Sequence, residues 1–507
     1  MRKIFTYLTI GIAALSVLVS CNKEILETSP TTSMSGTSLM ANGKAALVPL
    51  NGIYRSMYTA GWSTTGNTHQ CFGISAYNLN ADVMGDDHIM QAAGSGWFWY
   101  DATYDVKDAF NRSTWRPYDL WNAYYTWIAN ANYILAAEET MEGTTDEINY
   151  VIGQAYAIRA YSYFMLAQSY ARTYKGHETE PCCPIYTGPT DPKTEGQPRS
   201  TVQQVYTQIT ADITKAVDLL KGLPQQDKTH ISEAVALGIQ ARIALVMEDW
   251  ATAKTAAHAA ITASGCKILA PDSFKGLNDV TKANVMWGAG IIADQVGMYA
   301  SFFSHMDYDA NKYGGSAPKA INKDLYAMIP ATDARAGWWD PANKYIQKKF
   351  YFADVKTWMG DYIWMRVEEM YLTAAEAECM LNEETDAIAD LEAVVKTRNA
   401  AYTCTKTGTA MGALTSDFTG SLREEIINQR RIELWGEFGR IYDIRRLRQG
   451  FRRTAAQGWP TTALLTTRPT DDPESYMWVM TIPQAEFDGN VNMSLETDQN
   501  PLGDTKE

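Results

Sequence analysis

Cys21 is the residue best placed for covalent chemistry. Arg2 and Lys3 give a positive start, Ile4 to Val19 is a short apolar run, and Leu18-Val19-Ser20-Cys21 closes it. A basic head, a short apolar run and a small residue before a cysteine form a cleavage pattern after which the thiol takes up lipid. Residues 1–20 are read as a lipoprotein signal segment, with Cys21 as the lipidated residue. Other reactive groups are less well arranged. Glu368/Glu369 and Glu376/Glu378 are paired carboxylates, the residue type of glycoside hydrolysis. Their helical-repeat context favours surface or ion-pair roles instead. Asp82, Asp86, Asp87 and His88 lie together, a candidate structural calcium site or a set of turn residues, without a full calcium-loop pattern. The chain has no Gly-x-Ser-x-Gly elbow and no His-Glu-x-x-His motif. The six cysteines beyond Cys21 are sparse and lack zinc spacing, which argues against a disulfide scaffold or zinc finger and assigns no metal.

Aromatic side chains are the other resource. Trp and Tyr number 15 and 29 against 14 Phe, so rings with a polar handle dominate. Such rings can stack on the apolar faces of sugars or fill helix interfaces. Trp97, Phe98, Trp99 and Tyr100 follow Gly94-Ser95-Gly96 in a stretch, 61–116, that breaks helical periodicity and also holds Trp62. Four consecutive rings cannot all face inward on a helix. Either a strand buries alternate members or some face solvent. Residues 266–362 are also irregular and carry Trp287, Tyr299, Tyr308, Tyr313, Trp338 and Trp339. Trp97, Trp99, Tyr100, Trp287, Tyr299 and Trp338 are the candidate ligand-binding residues. The segment Gly288-Ala289-Gly290-Ile291-Ile292-Ala293 matches Gly-x-Gly-x-x-Ala, but its neighbours do not read as the βαβ unit a dinucleotide site requires.

Helices must position these groups. Ala45 to Tyr58 reads as a first helix, the segment from Trp121 to Leu135 as an amphipathic one, and Val151 to Tyr174 as another. Ser200 with Gln203 forms a capping box ahead of Val202, Val205, Ile209, Ile213, Ala216 and Leu220. Asn132 reads as a satisfied buried amide. Ala241 and Ala253, then Ala375 and Ala387, recur twelve apart within helix pairs, the spacing that lets antiparallel helices approach closely in tetratricopeptide repeats. The expected fold is mainly α, a tetratricopeptide-like scaffold with irregular aromatic-rich insertions and few short strands. The formal charge of −14 argues against a nucleic-acid partner.

From Leu422 to Arg446, Arg430, Glu433, Glu437, Arg440 and Asp443 recur at steps of three and four. On a helix this sets opposite charges side by side, either as a solvated face or as a partly buried network. The run resembles the carboxy-terminal signature of the SusD/RagB family, nutrient-binding lipoproteins of the Bacteroidetes outer membrane. Gln429 replaces that pattern's first Glu and Phe438 its usual Gly. Arg159-Ala160-x-x-Tyr163-x-x-Leu166, the run from Arg199 to Leu220, Ile482-Pro483-x-x-Glu486 and Asp498-Gln499-Asn500-Pro501 resemble further family elements, in family order.

The resemblance implies a cell-surface protein anchored in the outer membrane through Cys21. It would bind a poly- or oligosaccharide glycan and deliver it to a SusC-like TonB-dependent transporter, with no cofactor and no catalysis. Residues 21–44 would be anchor and tether, 45–265 an N-terminal region of helix pairs with an aromatic insertion, and 266–507 the C-terminal region packed on the same fold. A peptide or other nutrient ligand, a surface glycoside hydrolase and an assembly or adhesin role are the competing readings. The charged signature is expected to be scaffold and the aromatics the ligand surface.

Overall fold

The computed structural model describes residues 39–61, 68–105 and 115–502. Cys21, most of the proposed tether and Trp62 lie outside them. In chain order the elements are α1 (Gly43–Ser56), α2 (Ile74–Val83), β1 (His88–Met90), α3 (Trp99–Ala102), α4 (Trp115–Leu135), α5 (Thr145–Tyr170), α6 (Val202–Leu220), α7 (Glu233–Met247) and α8 (Trp250–Ser264). Then come β2 (Val285–Ala289), α9 (Phe302–Met306), α10 (Tyr313–Ser316), β3 (Lys319–Ile321), α11 (Lys323–Tyr326), β4 (Trp339–Asp340), β5 (Ile346–Gln347) and β6 (Tyr362–Arg366). Last are α12 (Val367–Met380), α13 (Glu384–Arg398), α14 (Leu422–Glu433), α15 (Arg440–Arg446), α16 (Gln484–Gly489) and α17 (Leu495–Asp498). The mainly helical expectation holds.

The long helices pack in succession, α4 on α5, α5 on α6, α6 on α7 and α7 on α8, after which α8 meets α12 and α12 meets α13 and α14. Small residues permit these approaches. Ala241, Ala253, Ala375 and Ala387 are all fully buried, and Ala253 packs with Ala244 and Ala377. A Cβ on Gly153 of α5 would come within 2.7 Å of Leu220 at the end of α6. The capping box before α6 uses Thr201 and Gln204, one residue later than the sequence reading placed it. The Thr201 hydroxyl accepts from the Gln204 amide, and the Gln204 side chain reciprocates. Thr144 and Glu147 do the same for α5. Asn132 is buried and satisfied: it donates to the Tyr186 carbonyl and accepts from Arg159, which also grips Asp212 through two bonds of 2.7 Å.

Two small antiparallel sheets lie outside the helical stack. One has the order β1-β3-β5-β4, with His88 opposite Ile321 and Ala320 opposite Ile346. The other pairs β2 with β6, with register shifts around Trp287. Because β2 is antiparallel to β6, the Gly-x-Gly-x-x-Ala match lies outside any βαβ unit. Gly288 serves close strand approach: a Cβ there would stand 2.2 Å from the Tyr362 carbonyl oxygen.

The charged signature is a buried network. The helical spacing does not run unbroken: the chain turns between α14 and α15, with Gly436 and Gly439 at φ 77° and 106°. The partners therefore come from across the fold. Glu433, fully buried, faces Arg366 at 3.0 Å, Arg398 at 2.9 Å and Arg335 at 3.5 Å. Glu437 meets Arg366 and Lys349. Arg430 reaches Asp443 across the break. Burial alone would raise the Glu433 carboxyl; Arg398 and Arg366 overcome it and hold Glu433 well below the usual carboxylate range.

The same network absorbs the candidate calcium cluster. Arg431 grips Asp87 through bonds of 2.9 and 2.7 Å, while Arg440 meets Asp86 at 3.0 Å and Asp87 at 2.8 Å. His88 stacks on Trp435 with ring centroids 4.3 Å apart. The Asp86 and Asp87 charges are already matched by guanidinium groups, so the calcium expectation is corrected to a buried ion-pair cluster. Among the described residues the six cysteines form no disulfide.

Candidate functional site

Phe98 organises the aromatic insertion. It adopts the left-handed conformation at φ 59°, turns its ring into the core, and donates its amide to the Gln70 side chain at 2.6 Å. Buried Arg116 locks this corner, bonding Asp101 twice at 2.9 Å and the Gln70 carbonyl at 3.2 Å. The four consecutive rings are thus divided by a backbone turn. Phe98 is inside, Trp97 and Trp99 are half-buried on different neighbours, and Tyr100 is exposed.

Trp97 joins a surface cluster of rings drawn from three separate stretches. Its indole stacks on His69 at 5.1 Å and 19°, and lies 5.1 Å from Tyr313. Tyr299, 42% exposed, packs on Tyr313 at 5.3 Å and edge-on against Trp358 at 5.0 Å. Trp358 stands at the tip of a turn closed by hydrogen bonds between Asp354 and Met359, itself left-handed at φ 61°. Lys312 sets its ammonium 4.2 Å over the Trp358 ring, a cation–π contact.

A second tier holds these rings still. The Tyr313 hydroxyl meets His69 Nδ1 at 2.7 Å, and buried His305 donates Nε2–H to the His69 carbonyl at 2.8 Å. Burial, with Lys319 adding to it, keeps the His305 imidazole well below its ordinary range. It is therefore a neutral donor at physiological pH. Rings fixed in this way lose little freedom when a ligand lies on them.

The other sequence-derived candidates sit elsewhere. Trp287 is fully buried, edge-on to Tyr161 and Trp364 at 5.6 and 4.9 Å. All five residues of β2 are buried, so Trp287 is core and is removed from the ligand set. Trp338 is only 9% exposed, stacked on Phe274 at 4.4 Å with Lys349 over its ring, and is likewise corrected to core. Trp99 packs against Ile89, Ala320, Trp459 and Ala463, away from Trp97. Tyr100 is exposed outside the cluster. Trp97 and Tyr299 are the two candidates the fold brings together. His69 and Trp358 escaped sequence reasoning. For Trp358 a signal existed: a Trp in the polar turn Asp354-Val355-Lys356-Thr357 has no apolar periodicity to account for it.

A separate cleft of about 360 Å³ lies between α4 and residues 485–490, with Trp121, Tyr125 and Tyr186 in its wall. The polar ends of two of these rings are already bonded. Trp121 donates to Glu486 at 3.0 Å and Tyr125 to the Pro184 carbonyl at 2.7 Å. Three of the four carboxylates weighed for hydrolysis are occupied as well: Glu369 is held by Arg242, Glu376 by Arg446 and Arg423, and Glu368 by Arg366 and Arg398, while Glu378 is buried beside His258.

The chain resembles known proteins along most of its length. A family described as "Starch-binding associating with outer membrane" matches residues 70–245, and the SusD family matches residues 295–502. A SusD-like carbohydrate binding protein from Bacteroides vulgatus superposes with a TM-score of 0.75 at 25% identity, covering 89% of this chain and 97% of that one. A SusD superfamily protein from Bacteroides thetaiotaomicron gives 0.72 at 21% identity, with 91% and 100% covered. Surface glycan-binding protein A from Bacteroides fluxus gives 0.66 at 16% identity, with 91% and 99% covered. No curated protein sequence matches. No described helix is long and apolar enough to cross a membrane.

Proposed function

We propose that this chain, which belongs to the SusD/RagB family, captures a poly- or oligosaccharide at the cell surface on the ring cluster of Trp97, Tyr299, Tyr313 and Trp358. The observation that carries the reading is this cluster: partly exposed rings from separate segments, held in place from beneath. Sugar rings present apolar C–H faces that stack on indole and phenol rings, while their hydroxyls need polar partners. Lys312 on the rim offers a donor. An open aromatic face suits a polymer that continues beyond the site, whereas a closed pocket would restrict the ligand to its own length.

Binding proceeds without chemistry on the ligand. Glu368, Glu369 and Glu376 serve arginines, so none of these three is poised as a general acid or nucleophile, and Glu378, at 2% exposure, is shut away from a surface ligand. The captured glycan is then delivered to a partner TonB-dependent transporter of the SusC type. Lipid on Cys21 and the segment after it would keep the protein at the outer membrane beside that partner.

The direct test is Tyr299→Ala with Trp358→Ala in calorimetry against a polysaccharide bound by the wild type. Each truncation removes a stacking partner worth about 0.5–1.5 kcal/mol, so the pair should weaken binding by about 5- to 150-fold. Both rings are at the surface, and the melting temperature should stay near wild type. Unchanged affinity in the double variant would remove the cluster from the binding site.

A further inference from the structure

We propose that His258, Glu378 and Asp390 form a zinc-binding site that clamps α8, α12 and α13 together. The His258 Nε2 atom lies 2.6 Å from Asp390 Oδ2 and 3.4 Å from Glu378 Oε1. One ligand atom from each of the three side chains falls within 4.8 Å of the other two. Ligands about 2.1 Å from a tetrahedral zinc ion stand about 3.4 Å apart, so a small rotation of Asp390 completes the set. Among the described residues no other group of three His, Cys, Asp or Glu side chains meets this spacing.

Glu378 gives the independent reason to expect a cation. It is 2% exposed, and its Oε2 atom has no hydrogen-bond partner among the described residues. Glu368, Glu369 and Glu376, on the same helix and equally buried, each face arginine at 2.6–3.1 Å. Among the described residues no guanidinium pairs with Glu378. Its charged neighbours are Asp390, Asp386 and Glu383 against His258, and burial with Asp390 pushes its carboxyl up to about 7. Lys254, which feels the charge of Glu378, is engaged by both oxygens of Glu383 at 2.8 and 2.6 Å. A buried carboxylate among carboxylates is costly unless a cation joins it.

The donor set selects the ion. An imidazole nitrogen with two carboxylate oxygens suits zinc and its first-row neighbours, whereas calcium and magnesium prefer oxygen alone. Three protein ligands leave a fourth position for water, and the His258 side chain, 45% exposed, opens that position to solvent. The ion would tie α8, the second helix of one repeat pair, to both helices of the next.

The test is zinc titration of purified, metal-stripped protein without a histidine tag, read by calorimetry and by thermal unfolding. One equivalent of zinc should bind, and the melting temperature should rise by about 3 °C when free zinc is about 100 times its Kd. His258→Ala and Asp390→Asn should each abolish both effects, while their metal-free melting temperatures stay near wild type, since neither side chain is core. Calcium should produce no shift. Absence of binding to the wild type, full binding in both variants, or an equal response to calcium would each overturn the proposal.

Discussion

Replacing Glu433 by Gln should cost more stability than any exposed ion pair in the protein. Glu433 is fully buried. Oε1 faces Arg366 and Arg398 at 3.0 and 2.9 Å, and Oε2 faces Arg398 and Arg335 at 3.2 and 3.5 Å. Glutamine keeps the shape but removes the charge, and turns one acceptor into a donor aimed at guanidinium N–H groups. Breaking a buried pair from one side costs about 3–5 kcal/mol because the other charge stays behind unmatched. Unfolding entropy of about 2.1 cal/mol/K per residue, over the roughly 450 residues described, is about 0.9 kcal/mol/K. The melting temperature should therefore fall by about 3–5 °C at pH 7.5, read by calorimetry. The exposed pair Lys44–Glu147 shows the contrast: its lysine is 79% exposed, and Lys44→Ala should leave the melting temperature at the wild-type value. The sign with pH is also set. The Glu433 carboxyl is held below its unfolded value of about 4.3, so its stabilisation is complete above that pH and is lost as pH falls through the folded value. The gap between wild type and variant should be constant at neutral pH and narrow below about pH 4. A variant melting within 1 °C of wild type at pH 7.5 would refute the network as a source of stability.

Two further outcomes follow from single contacts. Asp82 accepts the Arg440 amide at 2.8 Å, but among the described residues its other oxygen has no partner, and burial pushes its carboxyl up to about 8. The folded state then keeps a proton that the unfolded chain sheds above about pH 4, so this group lowers stability as pH climbs from about 4 to 8. Asp82→Asn should remove that slope and gain on wild type by up to about 1.4 kcal/mol per pH unit in denaturation midpoints between pH 5 and 8; parallel curves would contradict it. Gly288→Ala would place a Cβ 2.2 Å from the Tyr362 carbonyl oxygen and force β2 from β6, at a cost of about 3 kcal/mol in chemical denaturation. An unchanged midpoint would show that the strands separate freely.

Sequence patterns served well where local spacing decides the structure. Ala241, Ala253, Ala375 and Ala387 marked helix pairs because close approach demands small side chains, and all four are buried. The charged signature was legible as scaffold, but its pairing was not. Gly436 and Gly439 bend the chain with positive φ, and Glu433 finds Arg366 and Arg398 from distant elements in place of neighbours one turn away. The aromatic cluster was half legible. Trp97 and Tyr299 stood in aperiodic stretches, and both joined the cluster. Trp287 stood in one too, but β2 is buried on both faces, and nothing local separates such a strand from an exposed loop. His69 and Trp358 are brought to Trp97 and Tyr299 by tertiary packing alone. Asp86 and Asp87 looked like cation ligands because their partners, Arg431 and Arg440, lie more than three hundred residues away.

A polysaccharide panel would test the central claim most directly, run by affinity gel and calorimetry on wild type and on the Tyr299→Ala/Trp358→Ala variant, with soluble sugar release followed in the same tubes. Retention by one class of glycan, no release, and loss of retention in the variant is the predicted result. Sugar release by the pure protein, or retention that survives loss of both rings, would contradict capture without catalysis on this aromatic face.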